Sequence, residues 1–245
     1  MPRFTRPPAS LQSSVASAPA PVTVTILGPP GAGKGTQAAR LCEELELAYV
    51  ATGDMLRGHR SRGTELGLAA SEHMSAGRLV PDQLVIAMIT DALPDSPDAG
   101  LVIDGFPRTV AQAEALDELL RVRGRRLTAA ILLDVADDVV VERISGRRVC
   151  PNGHVFHVLH NAPERQGVCD EDGEPLVRRD DDEPETVRRR LTVYRAATEP
   201  VIDRYARLGL LLRVDGASST DEILTEICQA LPAAKERAHA TSGHR

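Results

Sequence analysis

The segment GPPGAGKGTQ at residues 28–37 has the residue types that bind a polyphosphate. Its glycines let the backbone curl so that successive N–H groups point inward, and Lys34 can reach the outer phosphates. A strand is predicted before this segment and a helix after it, so the positive end of a helix dipole adds to the attraction. The plain alternative is a glycine-rich turn that caps a helix. The order of strand, glycines, lysine and hydroxyl favours a triphosphate-binding loop.

A second segment with residue types that could bind a metal ion and phosphates is DGFPRT at residues 104–109, which directly follows an apolar stretch. In enzymes with such a phosphate loop, an aspartate at the end of a buried strand holds hydrated Mg²⁺. Asp104 is therefore the candidate magnesium residue. Arg108 follows four residues later and is predicted to face the phosphates.

Arginines recur in three further segments, TGDMLR at residues 52–57, RISGRR at 143–148 and RRDDDEPETVRRRL at 178–191. The planar guanidinium group of arginine neutralises and orients phosphate oxygens, so these arginines are candidate ligands of phosphate groups. The alternative for the first segment is an ordinary helix N-terminus with Asp54 in its first turn. For Arg188 and Arg189 we prefer a salt-bridged helix surface, because Glu185 lies at helical spacing from them.

Cysteine, histidine and aspartate form two short pairs in one turn-rich stretch. Cys150 pairs with His154 and Cys169 pairs with Asp172, and about fifteen residues separate the pairs. This spacing is typical of a structural zinc site. Two metal-free alternatives stay open, namely a purely hydrogen-bonded segment and cysteines with no shared role.

Composition bounds the classes of protein that this chain can belong to. With 245 residues, 42% hydrophobic content and a formal charge of -6, we expect one main domain with small additions. An acidic chain lacks the basic surface of a nucleic-acid binder, so we expect no nucleic-acid partner. No run of about 18 apolar residues occurs, so we expect no membrane association and a cytoplasmic protein. Four cysteines are too few for a disulfide scaffold.

The predicted elements alternate along the chain. Strands are predicted at residues 22–27, 47–50, 101–104, 127–135 and 210–214, and helices at residues 34–45, 109–122 and 220–231. Nearly continuous apolar strands that alternate with amphipathic helices indicate a parallel sheet covered on both faces. Ligands then bind at the carboxyl edge of the strands. The fold class is therefore α/β, with two inserted flaps over that edge.

At this point the sequence resembles the adenylate kinase family of nucleoside monophosphate kinases. The family's phosphate loop reads GxPGxGKGTQ, in which the hydroxyl stands one residue later than in the common P-loop pattern, as Gly35 and Thr36 do here. TGDMLR and DGFPR match two further family motifs. The resemblance covers roughly residues 22–231 and implies a P-loop core with a five-stranded parallel sheet, an AMP-binding flap and a lid.

The resemblance also implies boundaries and site residues. The core would comprise residues 22–50, 81–145 and 183–231, the AMP flap 51–80 and the lid 146–182. Composition, rather than the resemblance, predicts a disordered N-terminal tail at residues 1–21 and a frayed C-terminal tail at residues 232–245. The implied ATP-binding residues are Gly31, Ala32, Gly33, Lys34, Gly35, Thr36, Arg143, Arg147, Val155, Phe156 and Ser218. The implied AMP-binding residues are Thr52, Arg57, Arg78, Leu79, Val80, Gly105, Phe106, Pro107, Arg108, Gln112, Arg179 and Arg190. The implied catalytic residues are Lys34, Arg108, Arg147, Arg179 and Arg190.

Two site assignments need separate comment, namely that of Gln112 and that of the zinc ligands. By resemblance Gln112 reads the adenine edge, whereas by residue type alone a solvated helix position is the better interpretation. Many family members carry four cysteines, or three and an aspartate, in the lid. Here the second cysteine is absent and His154 is the nearest substitute, so the predicted zinc ligands are Cys150, His154, Cys169 and Asp172.

The sequence thus predicts reversible transfer of a phosphoryl group from ATP to AMP, which gives two ADP, with Mg²⁺ on the donor phosphates and zinc in the lid. ATP, AMP and ADP are the expected partners, and a monomer is expected. Two alternatives stay open. One is a kinase of another nucleoside monophosphate, and the other is a P-loop ATPase or zinc-hairpin module without acceptor chemistry.

Overall fold

The computed structural model describes residues 21–96 and 99–240. Apart from Pro21, the predicted N-terminal tail at residues 1–21 lies outside the described residues. Within the part of the chain that is described, none of the helices combines the length and apolar character that crossing a bilayer requires.

Five parallel strands form the central sheet. The strands of residues 21–96 and 99–240 are β1 (Thr23–Leu27), β2 (Ala48–Ala51), β3 (Leu101–Asp104), β4 (Ala129–Asp134), β5 (Arg147–Val149), β6 (Val155–His157) and β7 (Leu211–Asp215). The sheet order is β2-β3-β1-β4-β7, and every neighbouring pair is parallel. The predicted α/β class with a five-stranded parallel sheet is therefore confirmed, and β1, which precedes the phosphate loop, is the central strand.

Helices cover both faces of the sheet. They are α1 (Lys34–Leu45), α2 (Thr52–Ser61), α3 (Glu65–Ser75), α4 (Asp82–Ala92), α5 (Val110–Val122), α6 (Asp137–Ser145), α7 (Pro184–Arg207) and α8 (Thr220–Ala240). Side chains of a strand alternate between the faces, so Leu101 and Ile103 enter one core cluster whereas Val102 enters the other. Burial on both sides explains why β3 and β4 are apolar at every position before the aspartate that ends each of them.

Two excursions leave the sheet at its carboxyl edge. The first is the helical pair α2 and α3, which packs so closely that a Cβ on Gly67 would lie 2.3 Å from the backbone of His59. The second carries the antiparallel hairpin of β5 and β6, to which Val177 adds a bridge at Val149. A small core of Cys150, Phe156 and Cys169 lies inside this second excursion.

The C-terminal prediction is wrong for residues 232–240. We expected a frayed tail after Leu231, but α8 continues to Ala240 and Ala234 is buried in the core cluster that contains Val102. Pro232 lacks a backbone donor and its ring crowds the carbonyl of Cys228, but the strong helix propensity of the alanine-rich residues after it and the burial of Ala234 favour continuation of the helix. Residues 241–245 lie outside the described residues.

Candidate active site

One cavity opens at the carboxyl edge of the sheet, between the phosphate loop, the α2–α3 pair and α7. Its lining includes Gly28, Lys34, Thr52, Arg57, Arg78, Leu79, Val80, Gly105, Pro107, Arg108, Gln112 and Arg190. Residues from the predicted donor loop and from the predicted acceptor motifs therefore share one space. Asp181, Val193, Tyr194 and Thr198 also line it, and sequence reasoning did not assign them as ligands.

The phosphate loop follows β1 and ends at Gly33, the residue before α1. Gly31 has a φ of 78° in the left-handed region, and a Cβ there would lie 2.6 Å from Cγ1 of Ile144 on α6. Both the turn and the close approach to α6 require a glycine at this position. The loop is thus held between the first strand and α6, with the start of α1 behind it.

Lys34 folds back over this loop. Its Nζ donates to the carbonyl oxygens of Gly28 at 2.9 Å and of Pro29 at 2.7 Å. Burial lowers the pKa of Lys34 to about 7, and Arg108 adds to this effect while the carboxylate of Asp104 opposes it. A buried ammonium that has only carbonyl partners lacks a full counter-charge, so the position favours an anion.

Asp104 ends β3 beside the phosphate loop. A Cβ on Gly35 would lie 3.4 Å from its Oδ2 atom, and the hydroxyl of Tyr49 donates to the same oxygen at 3.2 Å. Burial, followed by the charge of Asp104, raises the pKa of Tyr49. Sequence reasoning missed Tyr49, because an exposed position on the edge strand β2 gives no sign of a partner on β3.

Thr52 and the turn after β3 are joined by hydrogen bonds. The hydroxyl of Thr52 donates to the carbonyl oxygen of Gly105 at 3.0 Å, and Nε of Arg108 donates to the same oxygen at 2.8 Å. Phe106 is fully buried under this turn. The guanidinium of Arg108 is therefore fixed at the start of the α2–α3 pair, and burial lowers its pKa, with a further contribution from Arg190.

Gln112 is buried in the wall of the cavity rather than solvated, so the interpretation from residue type alone is wrong. Its Oε1 accepts from the backbone N–H of Arg108 at 2.7 Å, and its Nε2 donates to Oδ1 of Asp82 at 2.7 Å. Asp82 begins α4 and lies 30 residues earlier in the chain. Nothing in the sequence around Asp82 indicated this contact.

Two aspartates hold two of the predicted catalytic arginines. Arg147 makes a two-pronged contact with Asp182, which is buried, and Nε of the arginine lies 2.8 Å from Oδ2. Arg190 lies 2.9 Å from Oδ2 of Asp181. Burial opposes ionisation of Asp181, but Arg190 and Arg147 outweigh it and lower the pKa of this carboxyl. Carboxylates thus orient both guanidinium groups.

Arg179 belongs to the same positive cluster. Its pKa is lowered to about 10, chiefly by burial and then by the charges of Arg57 and Arg147. Arg57 itself forms an ion pair with Asp54. By contrast, Arg189 donates to Glu185 at 2.8 Å on the exposed face of α7, which confirms the surface interpretation of that arginine.

The remaining predicted ATP residues lie away from this cavity's lining. Arg143 donates to the carbonyl oxygen of Gly216 at 2.7 Å, and the backbone N–H of Ser218 donates to Asp215. The side chain of Val155 is 46% exposed on the β5–β6 hairpin. Phe156 is buried in the small core of the second excursion, so its side chain is not free to contact a nucleotide.

The four predicted zinc ligands come together in the second excursion. One ligand atom from each of Cys150, His154, Cys169 and Asp172 lies within 4.8 Å of the others. Nδ1 of His154 alone is 3.3 Å from Sγ of Cys150, 3.4 Å from Sγ of Cys169 and 3.0 Å from Oδ2 of Asp172. One ring nitrogen cannot satisfy three hydrogen-bonding partners, whereas a small cation can bind all four atoms.

Comparison with known proteins agrees with this geometry. The adenylate kinase family model matches residues 26–210. The adenylate kinase of Streptomyces coelicolor is 50% identical over 212 residues, which make up 85% of this chain and 97% of that protein. The adenylate kinases of Chloroherpeton thalassium and Methanothrix thermoacetophila are 45% and 43% identical, and each match covers 86% of this chain and 98% of the relative. The chain therefore belongs to the adenylate kinase family and is a phosphotransferase of the nucleoside monophosphate kinase class.

Proposed function

We propose that this chain catalyses the reversible, Mg²⁺-dependent reaction of ATP with AMP to give two ADP. The observation that carries the proposal is that Lys34 of the phosphate loop, the amide of Gln112 and four arginines line one cavity; these arginines are Arg57, Arg78, Arg108 and Arg190. A site for one triphosphate alone needs neither further arginines for a second phosphate group nor a glutamine amide that binds a second base. Two nucleotides placed end to end account for all three features.

The donor half of the proposed site is the phosphate loop. Backbone N–H groups of Gly31, Ala32, Gly33, Gly35 and Thr36 and the Nζ of Lys34 would bind the ATP phosphates. The carboxylate of Asp104, which lies beside Gly35, would hold the water shell of a Mg²⁺ ion bound with ATP, and the ion would neutralise negative charge on the phosphates. Tyr49 would hold that carboxylate in place. Arg143, Val155, the backbone of Phe156 and Ser218 would contact ATP when the lid closes.

The acceptor half lies under the α2–α3 pair. Arg57 and Arg108 would bind the AMP phosphate, and Gln112 would bind the adenine. Thr52, the stretch Arg78–Leu79–Val80 and the turn Gly105–Phe106–Pro107 would enclose the nucleotide. The hydrogen bond from Thr52 to the carbonyl of Gly105 supports this assignment, because it joins the flap to the turn, and the same carbonyl holds Arg108.

Catalysis would depend on position and charge. Little covalent chemistry is required of the protein in phosphoryl transfer. The charge that spreads over the transferring oxygens would therefore be stabilised by the predicted catalytic residues, which are Lys34, Arg108, Arg147, Arg179 and Arg190. Asp181 and Asp182 keep two of these groups oriented before the substrates arrive. We assign residues 51–80 as the AMP flap and residues 146–182 as the lid, whose closure over the core would exclude water.

The experiment that tests the reaction compares ADP formation with and without AMP. An adenylate kinase forms about two ADP for each AMP consumed and little ADP from ATP and Mg²⁺ alone. A slow release of ADP from ATP that AMP does not accelerate would instead support the ATPase alternative and would overturn the proposal.

We also propose that the lid holds one structural zinc ion. Two thiols, an imidazole and a carboxylate suit zinc in both ligand type and number, and their ligand atoms lie within 4.8 Å of one another. The ion would join the two turns of a segment whose own core contains few apolar side chains. It would have no part in the chemical step.

Elemental analysis of the purified chain tests the zinc site. We expect about one zinc per chain, and almost none after Cys150→Ser and Cys169→Ser are combined. Cys42→Ser and Cys228→Ser form the matched control, because these thiols lie on α1 and α8, outside the lid. A wild-type chain without zinc, or a lid double variant that retains it, would contradict the assignment.

We also propose that the chain is a monomer and that it works in the cytoplasm. All the residues assigned to the reaction come from one chain, which supports a monomer. The cytoplasmic assignment rests on the substrates, adenine nucleotides that cytoplasmic metabolism exchanges. A light-scattering mass measurement on the purified chain tests the monomer, and a mass twice that of one chain would contradict it.

A further inference from the structure

Asp82 lies behind the cavity rather than in its wall. It is the first residue of α4, and its carboxylate faces the start of α5. Oδ2 accepts from the hydroxyl of Thr109 at 2.9 Å, and Oδ1 accepts from Nε2 of Gln112 at 2.7 Å. Gln112 lines the cavity, whereas Asp82 is not among its lining residues. The carboxylate therefore acts on the site through the glutamine amide.

The amide of Gln112 is held at both ends. An amide side chain can rotate by a half turn, which exchanges its oxygen and nitrogen at almost no cost in shape. A carboxylate such as that of Asp82 only accepts hydrogen bonds, so it must face Nε2. The backbone N–H of Arg108 only donates, so it must face Oε1. The two partners together define one orientation of the amide.

This orientation leaves one N–H and one oxygen lone pair of Gln112 for a ligand. A 6-aminopurine presents a donor at N6 beside an acceptor at N1, which matches that pair. A 6-oxopurine presents an acceptor at C6 beside a donor at N1, which is the inverse pattern. An amide free to turn would accept either base, whereas a fixed amide accepts only the first.

We propose that Asp82 is a specificity-determining positioning residue, which holds Gln112 in the orientation that selects 6-amino over 6-oxo purine nucleoside monophosphates. The proposal rests on the proposed function, because that function places the base of AMP at Gln112. Asp82 touches no substrate. Its effect is on the choice between acceptors rather than on the transfer step.

The test compares AMP with IMP, which differ at the base edge that Gln112 faces. Asp82→Asn keeps the shape but introduces a donor, so it removes one of the two restraints on the amide. We expect the ratio of kcat/KM for AMP to kcat/KM for IMP to fall about tenfold, with KM for ATP unchanged. Asp91→Asn is the matched control, because Asp91 is an exposed residue of the same helix. It should keep the wild-type ratio.

A second variant separates positioning from a structural role. Thr109→Val removes the other hydrogen bond of Asp82 and the side-chain cap of α5, but leaves the amide contact in place. It should lower the melting temperature while keeping the AMP-to-IMP ratio. An unchanged ratio in Asp82→Asn, or an equal fall in Thr109→Val, overturns the role of Asp82. A wild-type chain that forms no ADP from AMP refutes the proposed function itself, so the two failures are distinguishable.

Discussion

At the residue scale, the site combines several cations that the fold has removed from water. Burial lowers the pKa values of Lys34, Arg108, Arg179 and Arg190. Asp181 and Asp182 offset only part of that positive charge. The phosphates of the proposed nucleotides would supply the missing counter-charge, so we expect substrate binding to neutralise the positive charge of this cavity.

Lys34 provides the first prediction. Its pKa of about 7 leaves it largely neutral at pH 8 without ligand, and bound phosphates should raise that pKa. Binding of a non-hydrolysable ATP analogue at pH 8 should therefore take up close to one proton, and much less below pH 6. The same lowered pKa means that between pH 7 and 10.5 the unfolded chain binds more protons at this lysine than the folded chain does. The free energy of unfolding should therefore rise with pH across that window, as the cost of burying a charged Lys34 disappears.

Titration calorimetry in buffers of different ionisation enthalpy measures this proton uptake. Lys34→Arg is the control, because a guanidinium stays protonated throughout the range and should abolish the uptake. Binding by the wild type with no net proton uptake at pH 8 would show that Lys34 is already charged in the free protein.

The arginines provide the second prediction. Arg108→Ala, Arg147→Ala and Arg190→Ala should each lower kcat by ~10³ to 10⁵, because each would remove a charge aimed at the transferring phosphoryl group. Arg188→Ala alters an exposed position on α7 and should keep nearly full activity. Melting temperatures close to that of the wild type would establish that the variants are folded. Any of the first three variants with a wild-type rate would remove that arginine from the catalytic set.

At the element scale, the close packing of α2 against α3 fixes the shape of the proposed AMP flap. A Cβ on Gly67 would meet the backbone of His59 at 2.3 Å, so Gly67→Ala should force the helices apart and cost about 1–3 kcal/mol of local stability. We expect KM for AMP to rise and KM for ATP to stay near its wild-type value. Leu68→Ala, at a 61% exposed position of the same helix, should change neither. Parallel rises in both KM values would show that the flap is not specific to the acceptor.

At the scale of the whole molecule, the sequence was most informative where chemistry and local pattern coincide. The strand, loop and helix around Lys34 were predictable because the glycines, the lysine and the hydroxyl are contiguous. The partner of Gln112 was not predictable, because Asp82 lies on a different helix and only packing brings the two together. The extent of α8 was also missed, since Pro232 reads as a helix end while burial of Ala234 stabilises the continuation.

The central claim is that one cavity binds ATP with Mg²⁺ beside AMP and transfers a phosphoryl group between them. The most direct measurement is ADP formation by the purified chain with ATP, Mg²⁺ and each of AMP, CMP, UMP and GMP in turn. The account predicts rapid formation of two ADP for each AMP consumed, with AMP preferred over the other three acceptors. Preference for another monophosphate, or ADP formation that no monophosphate accelerates, would contradict it.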